Sequence, residues 1–274
     1  MTGLRRRVER TVRAADDAVL AVVVHEEDGV DVTTTVFLHA LGCRADMWDP
    51  VIAELGSAAG AAVALELRGH GRSEAGAGPM DLSVLVGDVR SIIDGVGASA
   101  CHLVGCSLGG LMAQAAALEL GDRVASLTLI NTGGVIATPD SWAARIAAVE
   151  ENGLPPLADA FAERLFSPSF RSSSPEVVGD VVRTVVATPA AGYISACGVL
   201  AATDLRHRLA SVSVPTLVIA GSADVATPVD AAEAIVQRVP GSELVVLPGV
   251  GHLAPIEAPR SVAAAIARHI EAAA

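Results

Sequence analysis

The chain has 274 residues, 51% hydrophobic and only 18% charged, which is enough apolar material to fill a large core without disulfide or metal staples and excludes a disordered chain. All 19 basic residues are arginine, set against 31 acidic ones for a net charge of -12, and this argues against nucleic acid as a partner, because a duplex binder needs a basic field to release counterions. The apolar residues come in short runs such as Ala18 to Val24, far below the roughly 20 needed to span a bilayer, so no membrane-spanning helix is expected.

At the N-terminus the cluster Arg5, Arg6 and Arg7 is followed by Glu9, Arg10 and Arg13, where a signal peptide would place its apolar stretch, so a cytoplasmic location is expected. Residues 8–25 read as an antiparallel hairpin turning near Ala14 to Asp17. Six nearly continuous apolar runs then read as strands covered on both faces, at 33–40, 61–68, 100–106, 124–131, 215–221 and 242–248. Helix-length segments accompany them around 47–56, 81–94, 108–120, 229–238 and 258–272. This alternation predicts an α/β fold with a mostly parallel sheet and helices on both faces. Residues 135–207 break it with four helix-like segments and no strand, two of them opened by Thr138-Pro139 and Ser174-Pro175, an N-cap residue followed by proline at the first helical position. Residues 1–134 and 208–274 are therefore read as a core domain and 135–207 as a helical cap inserted into it. Cys43, Cys101, Cys106 and Cys197 form no CxxC pair, so neither a disulfide nor a zinc framework is expected.

The candidate chemistry begins at GCSLGG, residues 105–110, which follows one expected strand and opens the next helix. A Gly-x-Ser-x-Gly match alone is weak, but a serine on a strand-to-helix turn is the position of a nucleophile elbow, where flanking glycines let backbones pass closely. Two further strand ends carry the partners such a serine requires: Asp224 in SADVATP and His252 in GHLAP, giving the order Ser107, Asp224, His252. HALG, residues 39–42, ends the first core strand and places the backbone N–H of Leu41 where an oxyanion donor is needed, with the N–H of Leu108 as the other. Asn131 holds an alternative acid position and cannot stabilise an imidazolium by charge, so the acid stays with Asp224. His25, His102, His207 and His269 lie in strand, helix or edge contexts with no candidate partner in the sequence. RGHGRS, residues 68–73, reads as fixing the loop after its strand rather than touching substrate.

These segments resemble the α/β-hydrolase superfamily, on LHALG, RGHGRS, GCSLGG, GSADVATP and GHLAPIEAP, over essentially the whole chain after residue 30. Within it the chain is similar to the 3-oxoadipate enol-lactonases, on MWDP (47–50), the stretches 131–149 and 187–228, and HLAPIEAP. The resemblance implies an eight-stranded sheet with an inserted cap, and a serine hydrolase opening a small lactone or ester through an acyl-enzyme on Ser107, in aromatic catabolism by way of the β-ketoadipate pathway. It implies no metal or organic cofactor, and a small-molecule lactone or ester as partner; monomer and homo-oligomer are both compatible with it. The chain departs from the family pattern at LHALG, where a Ser-Asn-Ser-Leu-Gly-like loop is common, at Glu66 in place of Asp, and at Leu108 in place of Met. These departures leave the chemistry intact and bear on which lactone is used. A carboxylesterase, a natural-product enzyme of the same fold and a non-catalytic small-molecule receptor are the rival readings. If the substrate carries a carboxylate, Trp142 and Arg145, three apart on one helical face, are the expected binding residues.

Overall fold

The computed structural model describes residues 6–26 and 34–273, and within them the apolar runs of the sequence become strands with both faces covered. β1 (Arg6–Arg13) and β2 (Val19–Glu26) form the antiparallel hairpin, paired from Arg6↔Glu26 to Arg13↔Val19. β3 (Thr34–Leu38) and β4 (Ala61–Leu65) follow, with the 3₁₀ turn Ala45–Trp48 and α1 (Asp49–Leu55) between them. Next come α2 (Leu82–Gly95), β5 (Cys101–Cys106), α3 (Leu108–Leu120) and β6 (Val124–Ile130). Five helices then run without a strand: α4 (Pro139–Asn152), α5 (Ala158–Leu165), α6 (Pro168–Ser173), α7 (Pro175–Val186) and α8 (Ala190–Ala202). β7 (Thr216–Gly221), α9 (Val229–Val236), β8 (Glu243–Leu247), α10 (Ala254–Glu257) and α11 (Pro259–Ala273) complete the chain.

β2 joins β1 and β4 antiparallel, while β3, β5, β6, β7 and β8 are paired in parallel in that order. A bridge between Thr34 and Gly60 brings the two groups together into one mostly parallel, eight-stranded run. β3, β5 and β7 are buried at every residue, as strands roofed by helices on both faces must be. No single helix among the described residues is long and apolar enough to cross a membrane. All four cysteines are buried free thiols.

The elements differ from the sequence expectation mainly at their ends. The strands expected at 33–40 and 61–68 stop at Leu38 and Leu65, and the expected first residue, 33, lies outside the described residues. Beyond Leu65 the backbone turns through Gly69 and Gly71, both at positive φ. The stretch between β6 and β7 has five α-helices rather than four because Pro168 and Pro175, each at the first helical position, cut it into separate short helices. The C-terminal helix expected at 258–272 is α11, and the short α10 before it is separate because Pro259 cannot donate a backbone bond and drives Ala258 out of the helical region, to φ -139 and ψ 52.

A buried ionic fork holds the carboxyl ends of these strands in place. Arg68, in the loop after β4, donates to both oxygens of Asp88 on α2 at 2.6 and 2.7 Å, and to both oxygens of Asp16 in the hairpin turn at 2.7 and 2.8 Å. Asp88 and Arg68 are 1% and 3% exposed, so removing Asp88 takes away two charge-assisted bonds and leaves the buried Arg68 paired with Asp16 alone. Asp88→Ala is therefore expected to lower stability by about 1.5–3 kcal/mol, read as a reduced urea midpoint at unchanged m-value.

Candidate active site

The serine turn is built by backbone crowding. A Cβ on Gly105 would lie 2.1 Å from the carbonyl oxygen of Gly109, and one on Gly109 would lie 2.1 Å from the carbonyl oxygen of Leu38. With hydrogens at those positions α3 can start directly behind β5, and Ser107 is driven into the left-handed region at φ 56 and ψ -116. Its backbone is held there on both sides: Ser107 N–H donates to Ile130 O at 3.0 Å, and Ser107 O accepts from Gly110 N–H, Leu111 N–H and the Thr132 hydroxyl at 2.9, 3.1 and 2.8 Å.

Asp224 and His252 come from the loops after β7 and β8. The Asp224 side chain is fully buried, and Oδ2 accepts from His252 Nδ1 at 2.7 Å and from the Thr227 hydroxyl at 2.7 Å. Oδ1 accepts from the N–H groups of Ala226 and Thr227 at 2.7 and 3.1 Å. Burial pushes this carboxyl upward, but the His252 ring and the hydrogen bonds from His252 and Thr227 outweigh it and hold Asp224 below the usual carboxylate range. Nδ1 is thereby the donor nitrogen, which leaves Nε2 of a neutral ring as an acceptor. Ser107 and His252 line one cavity of about 40 Å³. No hydrogen bond joins the Ser107 hydroxyl to the ring, a contact that often tightens only when substrate is bound.

The loop expected to supply a donor is fixed by a histidine. His39 is completely buried; its Nδ1 donates to Ala40 O at 2.8 Å and its Nε2 accepts the Leu67 N–H at 2.9 Å. Burial, reinforced by the charges of His70 and Arg44, holds His39 down at about 3. It is a neutral brace between the ends of β3 and β4. Leu41 follows it and lines the cavity, and Leu108 opens α3 immediately after Ser107. Among the described residues neither Leu41 N–H nor Leu108 N–H has a protein acceptor.

Trp142 and Arg145 both reach this cavity from α4; Trp142 is buried with its Nε1–H donating to Ile136 O at 2.7 Å, and the Arg145 guanidinium lies 5.4 Å from the Phe161 ring centroid. A second arginine, Arg164 of α5, lines the same cavity and was not anticipated from the sequence. Burial and the neighbouring Arg145 charge pull Arg164 below the usual guanidinium range, with Tyr193 and Asp224 opposing. Neither arginine forms an ion pair among the described residues. The helical spacing used for Trp142 and Arg145 also links Phe161 and Arg164, and would have found it.

RGHGRS stays away from the cavity. Arg68 is the buried fork, Arg72 pairs with Glu66, and the Ser73 hydroxyl accepts the Ala21 N–H at 2.9 Å. Two of the histidines without an expected partner have one: His25 Nε2 meets Asp49 Oδ1 at 3.2 Å and His102 Nδ1 meets the Ser126 hydroxyl at 2.8 Å. Asn131, in place of an acid, is a buried clamp at φ 45. Its Nδ2 donates to Gly251 O and His252 O at 2.8 and 2.6 Å, and its Oδ1 accepts the Gly221 N–H at 2.7 Å.

Residues 34–259 match the α/β hydrolase fold family. The chain is 37% identical over 224 residues to 3-oxoadipate enol-lactonase 1 of Acinetobacter baylyi, covering 82% of this chain and 83% of that protein. It is 31% identical to a putative carbamate hydrolase of Variovorax paradoxus, over 77% of this chain and 82% of the relative. The enol-lactonase structure from Burkholderia xenovorans LB400 superposes with a TM-score of 0.91 at 28% identity, over 96% of this chain and 100% of that one.

The His39 brace has a signature in pH. An unfolded histidine takes up a proton below about 6.5 while the folded ring stays neutral down to about 3, so this group's stability is present above pH 6.5 and is lost as pH falls. Replacing His39 with Gln, which keeps an acceptor for Leu67, is expected to flatten the decline by about 1.4 kcal/mol per unit below pH 6.5 in urea titrations. Identical slopes would show that His39 is charged when folded.

Proposed function

The chain belongs to the α/β-hydrolase family, and from that premise we propose that it is a serine hydrolase opening a small, anionic lactone, in the manner of a 3-oxoadipate enol-lactonase. The observation that carries the substrate class is the pair Arg145 and Arg164, unpaired cations facing the cavity that holds Ser107 in a chain of net charge -12. Two like charges held close in a half-buried wall repel each other, and a substrate carboxylate between them offsets that repulsion.

In this mechanism Ser107 Oγ attacks the lactone carbonyl while His252 Nε2 takes the hydroxyl proton, and Asp224 holds the ring and stabilises its cation. The N–H groups of Leu41 and Leu108 donate to the developing oxyanion. Collapse breaks the ring carbon–oxygen bond, and the enolate it releases takes the proton held by His252 and becomes a ketone on the acyl chain. His252, neutral again, deprotonates a water that attacks the acyl carbonyl, then returns this proton to Ser107 Oγ as the ester bond breaks and the oxo acid leaves. Every step uses groups of this chain alone.

Residues 135–207 act as the cap over this chemistry, contributing Trp142, Arg145, Phe161 and Arg164 to the cavity wall. A cavity of about 40 Å³ falls well short of the roughly 300–1,000 Å³ usual for small-molecule sites, so substrate entry requires cap side chains to part. The identity to the carbamate-hydrolase relative keeps a broader ester or amide substrate as the second reading.

Turnover of the enol-lactone compared with neutral aryl esters tests the proposal, with Ser107→Ala as the inactive control. Arg145→Ala and Arg164→Ala are each expected to raise KM for the anionic lactone roughly tenfold to hundredfold, the loss of one charge-assisted bond, and to change KM for neutral esters by less than about threefold. Equal effects on both substrates would remove the carboxylate reading. Preference for the esters would favour an esterase.

A further inference from the structure

His252 sits on a short loop between β8 and α10, and its two chain neighbours are tied to the cap, Leu253 directly and Gly251 through Glu257 of α10. Leu253 N–H donates to the Leu165 carbonyl at 3.0 Å. Gly251 N–H donates to Glu257 Oε2 at 3.1 Å. The same carboxylate reaches the junction of α5 and α6, where Oε2 accepts the Ser167 hydroxyl at 2.7 Å and Oε1 accepts the Ser167 N–H at 2.7 Å. Cap and loop touch so closely here that a Cβ on Gly251 would lie 2.4 Å from both Ser167 N and Glu257 Oε1. The cap stretch involved, Leu165 to Ser167, begins one residue after Arg164.

We propose that Glu257 is a positioning residue that links the placement of the His252 ring to the position of the cap. The inference rests on the reading of His252 as the general base. Asn131 secures the core side of the loop through the Gly251 and His252 carbonyls, and Glu257 secures the cap side through the Gly251 N–H. Hydrogen bonds to a carboxylate are short and strong, and both oxygens of this one are in use. An amide offers only one acceptor oxygen, so Glu257→Gln gives up either the Ser167 N–H or the Gly251 N–H. The cavity wall itself is unchanged, because Glu257 does not line it. A loosened loop thus impairs the chemical step and leaves ground-state binding nearly intact.

Steady-state kinetics of wild type, Glu257→Gln, Ser167→Ala and the double variant, on the enol-lactone and on an aryl acetate, test the link. Glu257→Gln is expected to lower kcat about 10- to 100-fold with KM within about threefold, the size expected for displacing a reacting group by a fraction of an ångström to 1 Å. Ser167→Ala, which removes only the hydroxyl contact, is expected to lower kcat about three- to tenfold, and the double variant to be no slower than Glu257→Gln, since both act through one connection. Unchanged kcat with only a reduced melting temperature would overturn the proposal, as would additive losses or a loss confined to KM. If Glu257→Gln does not fold, Ser167→Ala decides by the same kcat criterion. Turnover by wild type with unimpaired variants overturns this link alone; a wild-type protein inactive on both substrates overturns the proposed function and the link with it.

Discussion

A Cβ on Gly109 would lie 2.1 Å from the carbonyl oxygen of Leu38, and the other features of the site depend on this closeness between the first turn of α3 and the end of β3. Only glycine fits there, and only with glycine can the helix begin against the sheet. The turn that results drives Ser107 to φ 56 directly ahead of Leu108, the first residue of α3. The strained turn persists because its surroundings over-determine it: Ile130, Gly110, Leu111 and Thr132 all bond the Ser107 backbone. His39 adds a neutral brace that joins the ends of β3 and β4 behind that loop.

The charges are arranged in two ways with opposite consequences. At the strand ends Arg68 is saturated by Asp16 and Asp88, which makes it structural. Over the cavity Arg145 and Arg164 are left without carboxylates, in a chain with 31 acidic residues to supply them. The first arrangement stabilises the fold through internal compensation, and the second keeps positive potential in the cavity, where the carboxylate of the proposed substrate would complete it. A chain of net charge -12 with two arginines in its cavity wall shows that overall charge and pocket charge need not agree in sign.

Legibility in the sequence followed the range of the interactions. The interior of β3, β5 and β7 was readable because a doubly covered strand must be apolar throughout, and Ser107, Asp224 and His252 were readable because each follows a recognisable strand. Strand ends were not: the chain leaves the ladder at Leu38 and Leu65 because of contacts such as His39 to Leu67, made between segments far apart in sequence. Asn131 could be excluded as an acid, yet its work as a clamp on Gly221, Gly251 and His252 involves three strand ends that meet only in the fold. Arg164 lies at the same helical spacing from Phe161 as Arg145 does from Trp142, so its signal was in the sequence. Glu257 had none, because its contact with Ser167 joins the α5–α6 junction to α10 across ninety residues.

The central claim is that Ser107 is a nucleophile activated by His252, and stoichiometric labelling with a fluorophosphonate followed by peptide mass spectrometry tests it most directly. The account predicts a single phosphonyl adduct on the peptide carrying Ser107, formed rapidly in the wild type and lost in Ser107→Ala, and slowed on the order of a thousandfold in folded His252→Ala. An adduct on another residue, no adduct at all, or labelling at the wild-type rate without His252 would contradict it.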